Sequence, residues 1–464
     1  MLSLHKATKR FILMSYLHSE FLPMDISIYG AGYVGLVSAA CFAKLGHQVV
    51  CADINQERIH ALQLGGCPIY EEGLPELIKE QVENKRLLFT SDIPFAINAA
   101  NIHFIATGTP SQEDGSADLT QVFAVAKQIA LHTTENCIIV TKSTVPVGTG
   151  DLLQQEIAVH NKQVKIDLLS NPEFLREGCA VQDFLKADRI VLGGEDAAAL
   201  ERLKDLYQPL IAQGIPLLCM SRVSAELTKY TANAFLACKI SFMNQISRLA
   251  EKVGANIDEI REGISLDHRI GPHFLQAGIG YGGSCFPKDN RALVNTAKNL
   301  NIKTPLLTAI DEINLWQKEW VVEQLLRYFD NNLKNKTIAI WGLSFKPGTD
   351  DLREASSIVI IKALLALGVH LRLYDPVAML AAKAELGENS SITWSSDASS
   401  TIQACDALVI ATEWPEFKSF PLNHLKEILG SKPIFDGRNC YPIEEMVKNK
   451  ISFYASVGRP TISN

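Results

Sequence analysis

The sequence has no basic tract, no C-x-x-C pair and no uncharged apolar run of bilayer length. Each absence removes a class of function. A net charge of −7 without a basic tract argues against a nucleic acid or an anionic membrane surface as partner. Ten cysteines without metal-ligand spacing, among them Cys41, Cys51, Cys137 and Cys238 in apolar runs, read as reduced thiols. A disulfide framework and a metal site are therefore not expected, and the expected compartment is the cytoplasm. A membrane helix needs about 20 apolar residues in succession, so none is expected. Lys6, Lys9 and Arg10 precede F-I-L-M-S-Y-L, but that run breaks into His18, Ser19 and Glu20 with no small-residue cleavage site. Residues 1–23 are read as an extension outside the fold. At 464 residues, 47% of them hydrophobic and 20% charged, the chain is long enough for more than one core.

What is present begins at Asp25. The run D-I-S-I-Y-G-A-G-Y-V-G is a short apolar strand followed by Gly30, Gly32 and Gly35 in G-x-G-x-x-G spacing, then a helical stretch closed by Gly46. A second apolar strand ends in Asp53. Gly30 suits the tight turn, Gly32 a close approach of pyrophosphate to backbone, and Gly35 the packing of helix on strand. The helix N-terminus offers free N–H groups to phosphate, and Asp53 is placed to accept the ribose hydroxyls of NAD and to repel a 2′-phosphate. Three further strand-like runs, at 101–107, 137–144 and 166–173, end in small polar residues. In an open parallel sheet such ends meet ligands, which brings Thr109, Thr144 and Glu173 toward the nicotinamide.

Residues 221–253 contain neither glycine nor proline and keep helical periodicity throughout. Lys229 and Asn233 share one face of this helix, and the apolar and small residues around them point to burial over a solvated stripe. A second helix is expected near 305–330. At Lys336 the strand-and-glycine pattern restarts: T-I-A-I-W-G-L-S-F-K, then a strand ending in Asp375, then C-D-A-L-V-I-A-T. This second unit keeps Gly342 but has Ser344 and Phe345 where more glycines would be needed to cradle a dinucleotide. It carries Lys346, Arg353 and Arg438 instead, cations suited to the phosphates of another nucleotide. Between the units lies G-Y-G-G-S-C-F-P-K-D at 280–289. Taken alone, this stretch suits a buried thiol in a turn as well as a nucleophile. Taken together, the three features suit a substrate with its own nucleotide handle, oxidised beside NAD.

The motifs G-A-G-Y-V-G (30–35), K-S-T-V-P-V-G-T (142–149), N-P-E-F-L-R-E-G (171–178), G-Y-G-G-S-C-F-P-K-D (280–289) and S-F-K-P-G-T-D-D-L-R-E (344–354) resemble those of the UDP-glucose/GDP-mannose dehydrogenase family. The resemblance spans nearly all of residues 24–455. It implies an α/β chain of two Rossmann-like doubly wound domains joined by a long central helix and a helical middle domain. The corresponding boundaries are 24–215 for NAD, 216–330 for the dimerisation domain with the cysteine loop, and 331–464 for the UDP-sugar. It also implies a four-electron oxidation of a primary alcohol to a carboxylate, using two NAD. Within the family, F-P-K-D after the cysteine and F-D-G-R-N at 435–439 favour UDP-glucose over GDP-mannose or a UDP-N-acetylhexosamine.

By the same resemblance, Cys285 holds the aldehyde as a thiohemiacetal and then a thioester. Lys229 and Asn233 stabilise the oxyanion, Asp289 orients Lys229 and a water, and Glu173 with Thr144 serves hydrolysis. Contacts to NAD fall to Gly30, Gly32, Gly35, Tyr33, Val34, Asp53, Arg58, Thr109, Thr144, Glu177, Lys288 and Arg353. The UDP-sugar site takes Glu173, Phe174, Leu175, Arg176, Glu177, Lys229, Asn233, Phe274, Leu275, Gln276, Ala277, Gly278, Gly282, Phe345, Lys346 and Arg438. Arg269 reaches the substrate site of a second subunit, so a homodimer or higher even oligomer is implied. Two more distant readings are a one-step β-hydroxyacid dehydrogenase, which needs no cysteine, and a nucleotide-binding protein without turnover.

Overall fold

The computed structural model describes residues 22–463, so all but the last two residues of the expected extension lie outside the described residues. Among the described residues, fifteen strands form two sheets. In the first, β1 (Asp25–Tyr29), β2 (Gln48–Ala52), β3 (Leu87–Thr90), β4 (Ile102–Ile105), β5 (Cys137–Thr141), β6 (Ile166–Ser170), β7 (Ile190–Gly193) and β8 (Leu217–Met220) lie in the order β3-β2-β1-β4-β5-β6-β7-β8. In the second, β9 (Thr337–Trp341), β10 (His370–Tyr374), β11 (Ile392–Trp394), β12 (Ala407–Ile410), β13 (Ile434–Asp436), β14 (Phe453–Ser456) and β15 (Ile462–Ser463) lie in the order β11-β10-β9-β12-β13-β14-β15. The pairings are parallel except β6 with β7 and β14 with β15. The first six strands of each unit thus follow one doubly wound order, whose direction reverses beside β1 and β9. That reversal opens a crevice at the C-terminal strand ends.

The central strands are apolar because both their faces are covered. Ile26, Ile28, Phe104, Ile338 and Ile340 have no exposed surface. β8 lies past the expected boundary at 215, yet it pairs with β7 from Ile190↔Leu217 to Gly193↔Met220. The first sheet therefore continues to Met220, because the edge of β7 finds its parallel partner there.

The long helix runs Arg222–Val253, starting at Ser221, whose side chain accepts from the Ser224 N–H, and ending at Gly254 with φ 73°. At 1.5 Å per residue it is about 48 Å long. Lys229, Asn233, Ala237 and Ser241, spaced by four, are all buried. The expected second helix is two: Pro305–Lys318 and Trp320–Tyr328. The break at Glu319 lets Trp320 turn inward, where it is 1% exposed and its indole N–H donates to Glu251 Oε1 at 2.7 Å. The cysteine sits at the N-cap of a helix Phe286–Asn299, with Pro287 in the first turn where no N–H is missed.

Candidate active site

Five of the six side chains expected to do chemistry, Cys285, Lys229, Asp289, Glu173 and Asn233, come from three separate segments and converge. Lys229, on the long helix, ion-pairs with Glu173 Oε1 at 2.8 Å, both side chains about 95% buried (4% and 5% exposed). Glu173 follows β6, and its Oε2 accepts from the Leu175 N–H at 2.5 Å. One helical turn beyond Lys229, Asn233 Nδ2 donates to Asp289 Oδ2 at 2.7 Å. Asp289 is on the cysteine helix, 1% exposed, and its other oxygen takes the Lys288 ammonium. Lys229 is thus held directly by Glu173, while Asp289 holds Asn233 and Lys288 and adds its negative charge to the surroundings of Lys229.

Charge and burial compete at each of these groups. Burial pushes the Cys285 thiol up; Lys229 pulls it down, Glu173 and Asp289 push it up again, and the net shift is upward. Burial pushes the Lys229 ammonium down, but Glu173, Cys285 and Asp289 together hold it above the usual lysine range. Burial raises the Glu173 carboxyl, and Lys229 outweighs it to leave a carboxylate below its usual range. Attraction between the buried partners keeps both charged.

The glycine loop fits a dinucleotide. A Cβ on Gly30, at φ 106°, would lie 2.7 Å from the Ala106 carbonyl oxygen, and one on Gly35 would lie 1.7 Å from the Gly30 oxygen. The loop is therefore closed against the sheet on its inner side. On its outer side Gly32 has nothing within 4 Å. The helix Tyr33–Lys44 starts there without a side-chain cap, leaving its first N–H groups free for phosphate. Asp53 stands on the rim, accepting from the Ala31 N–H at 2.7 Å and the Asn55 N–H at 2.8 Å, with Arg58 Nη1 3.3 Å away. Val34, at the start of the helix, is half-buried, while the Tyr33 hydroxyl turns to Glu71 and accepts from the Gly178 N–H at 2.9 Å. Thr109 Oγ1 donates to the Thr144 carbonyl at 2.9 Å, joining the loops after β4 and β5.

The second unit contributes through the segment 343–355 between β9 and the helix Ser356–Ala366. A Cβ on Gly178 would meet the Gly348 oxygen at 2.6 Å, and one on Gly282 the Glu354 oxygen at 2.4 Å, so this segment touches both other regions. Arg353 pairs with Asp351 and lies 3.5 Å from Glu177 Oε1. Lys346 lies 5.5 Å from the ring of Phe345. Arg438 donates to the Gly280 carbonyl and to the Ala411 carbonyl, both at 2.9 Å, tying the cysteine strap to the second sheet.

Other expected residues are less free. Leu275 and Ala277 are buried in the core of the second unit. Both backbone groups of Gly278 are engaged, by Asn244 and Gln317. Arg176 is held by Asp183, with Nη2 to Oδ1 at 2.6 Å. Phe174 lies under Arg189, 3.6 Å from its guanidinium carbon. Phe274 has φ 63°, and its ring packs 6.1 Å from that of Phe286; Gln276 is exposed. Arg269 is 78% exposed, paired with Asp267.

Sequence reasoning missed three participants. Lys142, 4% exposed, donates to Asn171 Oδ1 at 3.0 Å. Burial pushes it down to about 8 although Glu173 draws it up. Glu71 accepts from the Gly178 and Ala180 N–H groups, both at 2.6 Å. Ser284 touches both Glu177 and the Cys285 sulfur. Lys142 and Ser284 stood inside quoted motifs; Glu71 carried no sequence signal.

Comparison with known proteins agrees with this geometry. Three models of the UDP-glucose/GDP-mannose dehydrogenase family match: the NAD binding domain at 24–211, the central domain at 223–316 and the UDP binding domain at 339–443. A UDP-glucose 6-dehydrogenase of Pseudomonas aeruginosa is 43% identical, covering 94% of this chain and 98% of its own. UDP-glucose 6-dehydrogenase TuaD of Bacillus subtilis is 45% identical, covering 94% of each. The solved UDP-glucose dehydrogenase of the archaeon Pyrobaculum islandicum superposes with a TM-score of 0.88 at 36% identity, over 96% of this chain and 99% of that one. With its NAD binding domain, its buried Lys229–Glu173 pair near a cysteine and its UDP binding domain, the chain belongs to the UDP-glucose/GDP-mannose dehydrogenase family.

Proposed function

We propose that this protein oxidises UDP-glucose to UDP-glucuronate in two NAD-dependent steps through a covalent adduct on Cys285. The observation that carries the reading is the convergence of Lys229, Glu173, Asn233 and Asp289 around one cysteine at a helix N-terminus. Gly30, Gly32, Gly35 and Asp53 would hold NAD, which accepts a hydride from the sugar C6 when bound.

The rest is done by the chain. Lys229 stabilises the alkoxide of the first step. The Cys285 thiolate adds to the aldehyde, and Lys229 with Asn233 steadies the oxyanion of the thiohemiacetal. After the second oxidation, Glu173 takes a proton from the water that cleaves the thioester, supported by Thr144. Arg438, Lys346 and the strap around Gly282 contact the UDP-sugar.

UDP-glucose is the substrate favoured by the relatives named above and by the F-D-G-R-N element. The second copy of the chain is taken to dock on the long helix. Leu227, Phe235, Phe242 and Leu249, spaced by seven or eight along one side, are 41%, 65%, 53% and 57% exposed. Arg269, exposed and paired with Asp267, would reach that copy. The cytoplasm remains the proposed compartment, in keeping with ten unpaired cysteines.

The test is NADH release with UDP-glucose, GDP-mannose and UDP-N-acetylhexosamines in parallel. Two NADH per UDP-glucose are expected, with little turnover of the others. Cys285→Ser should abolish acid formation; a serine variant making acid at the wild-type rate would sink the mechanism. Sedimentation of the free protein should give an even oligomer.

A further inference from the structure

Before Cys285 attacks, its thiol must lose a proton, and its surroundings do little to help. Lys229 is already engaged by Glu173 at 2.8 Å. Glu173 and Asp289 both bring negative charge to the sulfur. Arg353 faces it from the segment 343–355, but that guanidinium is held by Asp351 at 2.7 Å. Burial outweighs the pull of Lys229, and the thiol stays above its usual range.

One polar path leads away from the sulfur. Ser284 Oγ lies 3.5 Å from Cys285 Sγ and donates to Glu177 Oε1 at 2.9 Å. Glu177 is 10% exposed, with Thr349 Oγ1 donating to its Oε2 at 3.3 Å and Arg353 Nη2 3.5 Å from its Oε1. Asp351, Lys346 and Tyr33 also face it electrostatically. Burial, followed by Asp351, raises this carboxyl above its usual range, which makes it a better proton acceptor than an ordinary glutamate.

We propose that Ser284 and Glu177 form a proton relay that ionises Cys285. The Sγ proton passes to Ser284 Oγ as the Oγ proton passes to Glu177 Oε1. Negative charge moves from carboxylate to sulfur, and nothing is oxidised or reduced. The inference rests on the reading of Cys285 as nucleophile and deepens it. Its parts come from all three regions: Glu177 from the first unit, Ser284 from the cysteine strap, and Thr349 and Arg353 from the second unit. The relay therefore exists only when the regions are packed together.

The test is the pH dependence of iodoacetamide alkylation at Cys285 in the full chain. It is read by peptide mass spectrometry, because Cys179 and Cys219 are exposed and will also react. In Ser284→Ala the alkylation midpoint is expected to rise by about one to two pH units, the size of a lost hydrogen bond to the charged sulfur, and in Glu177→Gln, which removes the proton acceptor, the alkylation rate at neutral pH is expected to fall about 10-fold. Ser284→Thr, which keeps a hydroxyl, should hold the wild-type midpoint. With UDP-glucose, kcat/KM of Ser284→Ala should fall roughly 10- to 100-fold at neutral pH and recover as pH rises. Superimposable alkylation curves for wild type, Ser284→Ala and Glu177→Gln overturn the relay. If the midpoint shifts but wild type oxidises no sugar nucleotide, the relay stands and the substrate reading falls; normal turnover without a shift has the opposite meaning.

Discussion

The two sheets begin alike and diverge within a few residues. In each, the first strand runs into a glycine with positive φ, 106° at Gly30 and 91° at Gly342. In each, the following N–H donates at 2.7 Å to an aspartate ending the second strand: Ala31 to Asp53, and Leu343 to Asp375. The divergence lies in what surrounds that acid. Asp53 is on the rim, and the helix starts at once with Tyr33. Asp375 is 1% exposed, and its Oδ2 also accepts from the Ser344 N–H at 3.1 Å and the Trp414 indole at 3.0 Å. The next helix waits until Ser356, and the intervening residues cross to Glu177 and Gly282. The same turn thus makes an open cradle in one unit and an internal anchor in the other. The anchor releases a long segment to complete the site between the regions.

That contrast can be broken most severely at Gly35. A methyl there would lie 1.7 Å from the Gly30 carbonyl oxygen and 3.5 Å from the Ala106 Cβ. Gly35→Ala should lower stability by about 3 kcal/mol or more and abolish NADH binding, read by denaturant titration and NADH fluorescence. Next come the two aspartates. Asp375→Ala strands several buried donors and should reduce stability by about 2–5 kcal/mol while sparing NAD affinity in the molecules that remain folded. Asp53→Ala should do the reverse: NAD affinity down roughly 10- to 100-fold by calorimetry, with the melting temperature little changed. If the two variants behave alike, the distinction between cradle and anchor is wrong.

The smallest effect sharpens the comparison at the fifth strands. The first unit buries a cation after β5, Lys142, and the second buries an acid at the end of β13, Asp436. Lys142 is held down to about 8 by burial, so above that pH the folded chain has released a proton that the unfolded chain still binds. Stability should therefore rise with pH from about 8 toward the ordinary lysine range, by at most about 1.4 kcal/mol per pH unit. Lys142→Met should flatten that part of the curve, measured as the difference from wild type by urea titration. Burial shifts Asp436 upward, so its carboxylate form disfavours the fold as pH rises through the acid range. Asp436→Asn should remove a slope of opposite sign.

Much of this architecture was legible because it is local. Apolar runs bounded by glycine and acid mark β1, β2, β9 and β10, and the absence of glycine and proline over 221–253 marks the long helix within one residue. The parallel between the units was readable too, since both repeat the same strand, turn and acid. Less legible were β8, a short edge strand with little burial, and the break at Glu319, set by where Trp320 finds Glu251. The burial of Leu275 and Ala277 was also hidden, since it depends on which side of the strap meets the second core.

By itself the sequence determined the two nucleotide-type units, the glycine turn, the acid that closes the second strand and the presence of one cysteine among glycines. These follow from backbone freedom, side-chain period and residue chemistry over a few neighbouring positions. Only the tertiary structure decided who holds whom: Glu173 with Lys229, Asp289 with Asn233, and Ser284 between Glu177 and the sulfur. Those pairings join residues up to 107 positions apart, and their geometry is set by how three regions pack, which no local pattern encodes.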